Sequence, residues 1–135
     1  MIVSTRGRYA LRVLIDLAEH NNEERIPLKD ISSRQDISQK YMEAIMTVLS
    51  KNGLVDAVHG KGGGYKLNRK PEDYKVGEIL SITEGTLAPV ACLEAGAEAC
   101  PKHDKCRTIP MWTKLDELVS TYLNSVSIAD LMRKE

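Results

Sequence analysis

The chain has 135 residues, 42% hydrophobic and 28% charged, which is the profile of one ordinary globular domain and excludes a disordered segment. Nineteen Lys and Arg balance nineteen Asp and Glu, yet residues 1–70 carry +4 and residues 71–135 carry −4, so a basic half can face an anionic partner while the acidic half faces away. Nothing approaches the ~18 consecutive apolar residues of a membrane helix, and Arg12 and Asp16 interrupt the apolar stretch from Ala10 to Ala18, so a cytoplasmic, membrane-free setting is expected.

A first helix is predicted to begin after Ser4 or Thr5, because Tyr9, Ala10, Val13, Leu14, Leu17 and Ala18 recur at helical spacing. Asn21 and Asn22 are its expected terminators. A short second helix follows Pro27, with Leu28 and Ile31 inward and Asp30, Ser32 and Arg34 outward. After the break at Asp36-Ile37-Ser38, Ser38 is a good N-cap for a third helix with Met42, Ile45, Met46 and Leu49 inward. Lys51-Asn52-Gly53 ends that helix. With only six aromatics and no Phe, the core must rest on Leu, Ile, Val and Met.

The period then changes. Leu54 to Val58 and Gly64 to Asn68 are short extended runs joined by His59-Gly60-Lys61-Gly62-Gly63, which reads as a β-hairpin. A fourth helix is predicted from Val76 to Thr83, closed by Gly85. Residues 86–105 have no clear period; they hold Cys92 and Cys100, and Cys106 follows directly. From Pro110 the pattern is helical again: Trp112, Leu115, Leu118, Val119, Tyr122, Leu123 and Val126 form an apolar stripe. A last short helix covers Ser127 to Arg133.

Helix, turn, helix and Gly-rich hairpin, in that order, make a winged helix-turn-helix. The expected fold class is mainly α with a small β-hairpin wing (α+β). It divides into a DNA-binding domain at 1–85, a cysteine-containing loop at 86–109, and a dimerisation helix with a short terminal helix at 110–135. In such a fold the early residues of the recognition helix meet base edges. Here these are Ser38, Gln39, Lys40, Tyr41, Glu43 and Ala44. Gln39 suits adenine, Lys40 guanine or phosphate, and Glu43 a cytosine amine. The wing offers His59, Gly60, Lys61 and Gly62, with Lys66 beside them, and its glycines allow a close backbone approach. Ser4, Thr5, Arg6 and Arg8 open the first helix, where amides and dipole favour phosphate. The stripe on the Pro110 helix calls for a second copy of the chain, because three helices already cover the winged core.

Cys92, Cys100 and Cys106 follow a C-x7-C-x5-C spacing. Three thiols in one irregular loop suit a soft metal, but the spacing is neither a zinc-ribbon nor a ferredoxin pattern. An iron–sulfur cluster, zinc, a redox-active thiol pair and plain reduced thiols all remain open on spacing alone. A regulator controlled by binding a metabolic enzyme is a further alternative. No nucleophile–base arrangement accompanies the three histidines, His20, His59 and His103, so an enzyme is not expected.

Several segments carry a family resemblance: Ser4-Thr5-Arg6-Gly7-Arg8-Tyr9-Ala10, the helix pair from Asp30 to Ser38, Tyr41-Met42-Glu43, and Lys51-Asn52-Gly53-Leu54-Val55 through Gly62-Gly63-Gly64-Tyr65. In these the chain resembles the Rrf-type winged-helix transcriptional regulators, nearest to their iron–sulfur cluster-binding members. The resemblance implies a homodimeric repressor or activator of a near-palindromic double-stranded DNA operator, with the Pro110 helix crossing its partner. It also implies that Cys92, Cys100 and Cys106 hold a cluster, [2Fe–2S] or [4Fe–4S], together with one non-cysteine ligand. The chain departs from that pattern in three places. A wing arginine is replaced by His59, the first cysteine spacer is longer, and the position of the ligating histidine holds Ile109, which cannot ligate. His103 is the nearest candidate for the fourth ligand.

Overall fold

The computed structural model describes residues 3–20, 25–58, 60, 62–98 and 101–133, apart from the side chain of residue 103. Helix α1 runs Thr5–Glu19. Ser4 caps it by accepting the Gly7 N–H at 3.2 Å, which satisfies one of the orphan donors of the first turn. Its buried face is Gly7, Ala10, Val13, Leu14, Leu17 and Ala18, together with Asp16. The helix ends at Glu19, where the His20 N–H donates to the Asp16 carbonyl; the expected terminators Asn21 and Asn22 lie outside the described residues.

Helix α2 (Leu28–Gln35) stops at Asp36, which adopts a left-handed conformation at φ 53°. Ser38 then caps α3 (Gln39–Lys51), taking the Tyr41 N–H at 3.2 Å. Met42, Ile45, Met46 and Leu49 are all buried, as their spacing predicts. Two of the α2 residues expected to face outward do not simply meet solvent. Arg34 forks over the buried Asp16, with Nη2 at 2.7 Å and Nε at 3.0 Å, and Gln35 adds a bond at 2.9 Å. The Ser32 hydroxyl donates to the Ile37 carbonyl. A buried carboxylate needs such partners, and here they fix the angle between α1 and α2.

Strands β1 (Val55–Val58) and β2 (Gly64–Leu67) pair antiparallel in the register Val55–Leu67 to Val58–Gly64. Ile26 lies along the outer side of β2 and exchanges both backbone bonds with Tyr65, at 3.0 and 2.9 Å. That approach requires glycine at position 64, since a Cβ there would stand 2.7 Å from the Ile26 carbonyl oxygen.

Beyond the wing, a single 3-10 turn at Pro71–Asp73 leads to Tyr74, a fully buried residue that periodicity did not single out. Its hydroxyl donates to the Leu54 carbonyl at 2.7 Å and accepts the Asn68 N–H at 3.0 Å, anchoring the base of the hairpin. Helix α4 (Val76–Glu84) closes at Gly85. Short turns at Ala91–Leu93 and His103–Lys105 are the local structure of the cysteine loop. Helix α5 spans Ile109–Ser125, one residue earlier at its start than Pro110 suggests. Helix α6 (Ile128–Leu131) carries a complete capping box between Ser127 and Asp130. The chain then returns to the winged core: the Ile128 N–H donates to the Tyr74 carbonyl, and the Ile128 side chain is fully buried.

Candidate nucleic-acid interface and cysteine loop

The first turn of α3 and the start of α1 meet on one side of the molecule. Ser4, Thr5 and Arg6 line a shallow groove opposite Tyr41, Ala44 and Ile45. Ser38, Gln39, Lys40, Tyr41, Glu43 and Ala44 are all exposed, whereas Met42, Ile45 and Met46 of the same turns are buried. A helix with its apolar stripe in the core presents the other stripe outward, which is how the sequence leaves these polar groups available. Arg6 and Arg8 are exposed, and Arg8 donates to the Thr5 hydroxyl at 3.2 Å.

Tyr41 does not stand free. Its ring meets Tyr9 edge-on, with centroids 5.5 Å apart. Arg12 lies over the Tyr9 ring at 5.1 Å and is itself held by the Gln35 side chain and carbonyl. Tyr9 and Arg12 are therefore supports for Tyr41 that the apolar pattern of α1 concealed, because Tyr9 also reads as an ordinary core-facing residue.

At the wing, Gly60 and Gly62 take φ of 91° and 77°, a region open to glycine, and the Gly63 N–H closes the turn on the Gly60 carbonyl at 3.0 Å. His59 and Lys61, the two wing side chains expected to reach DNA, lie outside the described residues. Lys66 is exposed on β2. Arg25 donates to the Gly62 carbonyl at 3.3 Å and adds an exposed cation beside the wing. Sequence reasoning missed it. Its only signal is that Arg25-Ile26-Pro27 is an extended run able to lie along the hairpin.

In the cysteine loop, Cys92 is exposed and Cys106 half-buried, both as free thiols. The Cys106 sulfur is 3.4 Å from the Thr108 hydroxyl. That hydroxyl and the backbone N–H groups of Thr108 and Ile109 hold the Cys106 thiol below its ordinary range, favouring the thiolate a soft metal requires. Cys106 by itself thus has the chemistry of a thiolate ligand. Among the described residues no three metal-ligating side chains gather; Cys100 and the side chain of His103, the candidate fourth ligand, lie outside them. Ile109 is the first residue of α5. Leu93 and Ala95, just after Cys92, line a cleft with Ser81 of α4 and Asp116, Ser120 and Asn124 of α5. The loop therefore touches both helices.

No residue of α5 is buried. Leu118 and Tyr122 are 56% and 67% exposed, and Met111, absent from the predicted stripe, is 54% exposed. Trp112, Leu115, Val119, Leu123 and Val126 are half-buried. Among the described residues no helix is long and apolar enough to cross a membrane.

Comparison with known proteins follows the same lines. The family described as "Rrf2: Iron-dependent Transcriptional regulator" matches residues 3–134. The HTH-type transcriptional regulator IscR of Serratia proteamaculans is 37% identical over 135 residues, a span of all of this chain and 81% of that relative. Among solved structures, CymR (YrzC), the global cysteine regulator of B. subtilis, is similar with a TM-score of 0.80 at 30% identity, covering 97% of this chain and 95% of its own. T. potens IscR follows with a TM-score of 0.72 at 35% identity, covering 97% and 85%. These relatives are transcriptional regulators rather than enzymes. With its recognition helix, wing and near-complete match, the chain belongs to the Rrf2 family of winged-helix, DNA-binding transcriptional regulators.

Proposed function

We propose that the protein acts as a homodimer on a near-palindromic duplex operator and that its three cysteines make operator binding responsive to an iron–sulfur cluster. The observation that carries the DNA-reading part is the shared groove of Ser4, Thr5, Arg6 and Tyr41 beside the exposed polar face of α3. Gln39, Lys40 and Glu43 read base edges in the major groove. Ser4, Thr5, Arg6, Arg8 and Ser38 position the phosphate backbone, and the wing from His59 to Gly62 follows the adjacent groove. The incompletely covered apolar side of α5 supports the dimer, since Leu118 and Tyr122 stay exposed in one copy and Trp112, Leu115, Val119, Leu123 and, just past the helix, Val126 are only half-buried.

Cys92, Cys100 and Cys106 would hold the cluster, with His103 or a group from a second copy completing the set. A bound cluster would supply a redox-sensitive, oxidisable centre. The chain's own part is mechanical. Ordering of residues 92–106 bears on α4 and α5 through the cleft around Leu93, and a tilt of α5 changes the spacing of the two recognition helices. A coupling of about 1–3 kcal/mol between the sites switches occupancy roughly 5- to 150-fold.

Anaerobic purification tests the cofactor. The expected protein is coloured, absorbs in the visible and contains iron and sulfide, and its affinity for a selected operator changes when the cluster is removed. A colourless protein containing zinc points instead to a zinc site. Colourless, metal-free protein whose DNA binding responds to oxidants points to a thiol sensor, the reading that the thiolate-favouring environment of Cys106 also supports. Equal operator affinity with and without the cluster removes the sensing proposal.

A further inference from the structure

Glu84, the last residue of α4, reaches the first turn of α1. One carboxylate oxygen, Oε1, accepts both donors of Ser4, the hydroxyl at 2.7 Å and the backbone N–H at 3.1 Å. Position 7 has to be glycine for this contact, since a Cβ there would stand 2.2 Å from the same oxygen. The N-terminal end of a helix carries unpaired amides and the positive end of the dipole, so it attracts anions. In this chain an anion is already there, supplied from a residue eighty positions away. Capping alone would need only a neutral acceptor. The carboxylate adds a negative charge, and among the described residues no Lys or Arg forms an ion pair with Glu84. Thr5 and Arg6, the next residues after Ser4, line the groove with Tyr41.

We infer that Glu84 is a built-in brake on operator affinity: it holds both donors of Ser4 inward and lays a negative charge, unpaired with any described Lys or Arg, beside the phosphate-facing end of α1. Glu84 acts through Ser4 and the local potential, so it is a positioning residue and not itself a DNA contact. The inference rests on the reading that the start of α1 faces DNA. The carboxylate also stands at the joint where α4 gives way, at Gly85, to the cysteine loop.

The test uses the full chain and a duplex selected by the wild-type protein from a random pool. Glu84→Gln keeps an acceptor of the same size and removes the charge. It is expected to bind about threefold tighter per subunit at low salt, the scale of one unit charge ~8 Å from a phosphate in a high-dielectric setting. The gain should fade as salt rises to about 0.5 M, because screening shortens the reach of the charge. The melting temperature should stay near that of wild type. In a Ser4→Ala background the gain should shrink, because part of it comes from the weaker hold of a neutral amide, compared with a carboxylate, on the Ser4 donors. Glu84→Asp, which keeps the charge, should bind no tighter than wild type. Glu84→Gln binding no tighter than wild type, a gain that persists at high salt, or tighter binding by Glu84→Asp would each overturn the brake. A wild-type chain that selects no duplex rejects the DNA-facing assignment of α1 and α3 instead, so the two failures are distinguishable.

Discussion

Glutamate at position 118 is the most direct challenge to the α5 surface. Leu118 is 56% exposed in a single copy, and its neighbour one turn on, Tyr122, is 67% exposed. Covering what remains of Leu118 gains about half of the ~2 kcal/mol that complete burial of such a side chain contributes. A two-fold interface counts every residue twice, so the pair contributes about 2 kcal/mol. Leu118→Glu forfeits that and sets two carboxylates into an apolar seam, where an unpaired buried charge costs about 2–5 kcal/mol. The combined loss of at least about 4 kcal/mol weakens association roughly a thousandfold or more. Sedimentation velocity at micromolar concentration reads this directly: a wild-type dimer against a monomeric variant. Circular dichroism melts should show the winged domain intact, because Leu118 is mostly exposed in a single copy and is not part of the buried core. A variant that sediments like wild type, or a monomeric wild type, would refute the argument that α5 is an interface.

Other perturbations test the fold and the DNA-reading face. Burial pushes the Asp16 carboxyl up, but hydrogen bonds from Arg34 and Gln35 and the charges of Arg34 and His20 outweigh it and leave the group below its ordinary value. A depressed carboxylate stabilises the protein above its unfolded pKa of about 4, and that stability is lost as pH falls through the lower folded value. Asp16→Asn should therefore cost about 2 kcal/mol in urea melts near neutral pH, less than a fully buried pair because Arg34 is a third exposed. The gap to wild type should close below about pH 4; a gap unchanged down to pH 3 would contradict the clamp. Tyr74→Phe strands the Leu54 carbonyl and the Asn68 N–H and should cost about 1–3 kcal/mol by chemical denaturation. A neutral result would mean that water replaces the hydroxyl. Gln39→Ala should lose about 1–3 kcal/mol at one operator base pair and relax preference there, measured by substituting each base in turn. A uniform loss across all sequences would reassign Gln39 to the phosphate backbone.

Much of the fold was legible in the sequence. Ser4 and Ser38 mark the starts of α1 and α3 because capping is a local act, completed within three residues by the Gly7 and Tyr41 amides. Met42, Ile45, Met46 and Leu49 announce their burial because every side chain three or four residues on shares a helix face. The recognition-helix residues were visible for the complementary reason. Arg34, by contrast, looked like a solvated cation, since nothing near it in the chain reveals a buried carboxylate eighteen residues earlier. Nothing local to Arg25 reveals the wing carbonyl thirty-seven residues on to which it donates. Tyr74 stood alone between two elements, with no periodic partner to mark it.

From the amino-acid order alone come the helices, the hairpin turn, the exposed polar face of α3 and the apolar stripe of α5, because caps, periodicity and glycine conformations act over a few residues. Tertiary structure decided which surfaces meet: Asp16 with Arg34, Ile26 with Tyr65, Ile128 with the winged core, and Glu84 with Ser4. Those pairings join residues far apart in the chain, and their energy appears only when folding removes the intervening water and leaves each buried polar group needing a partner at hydrogen-bond distance.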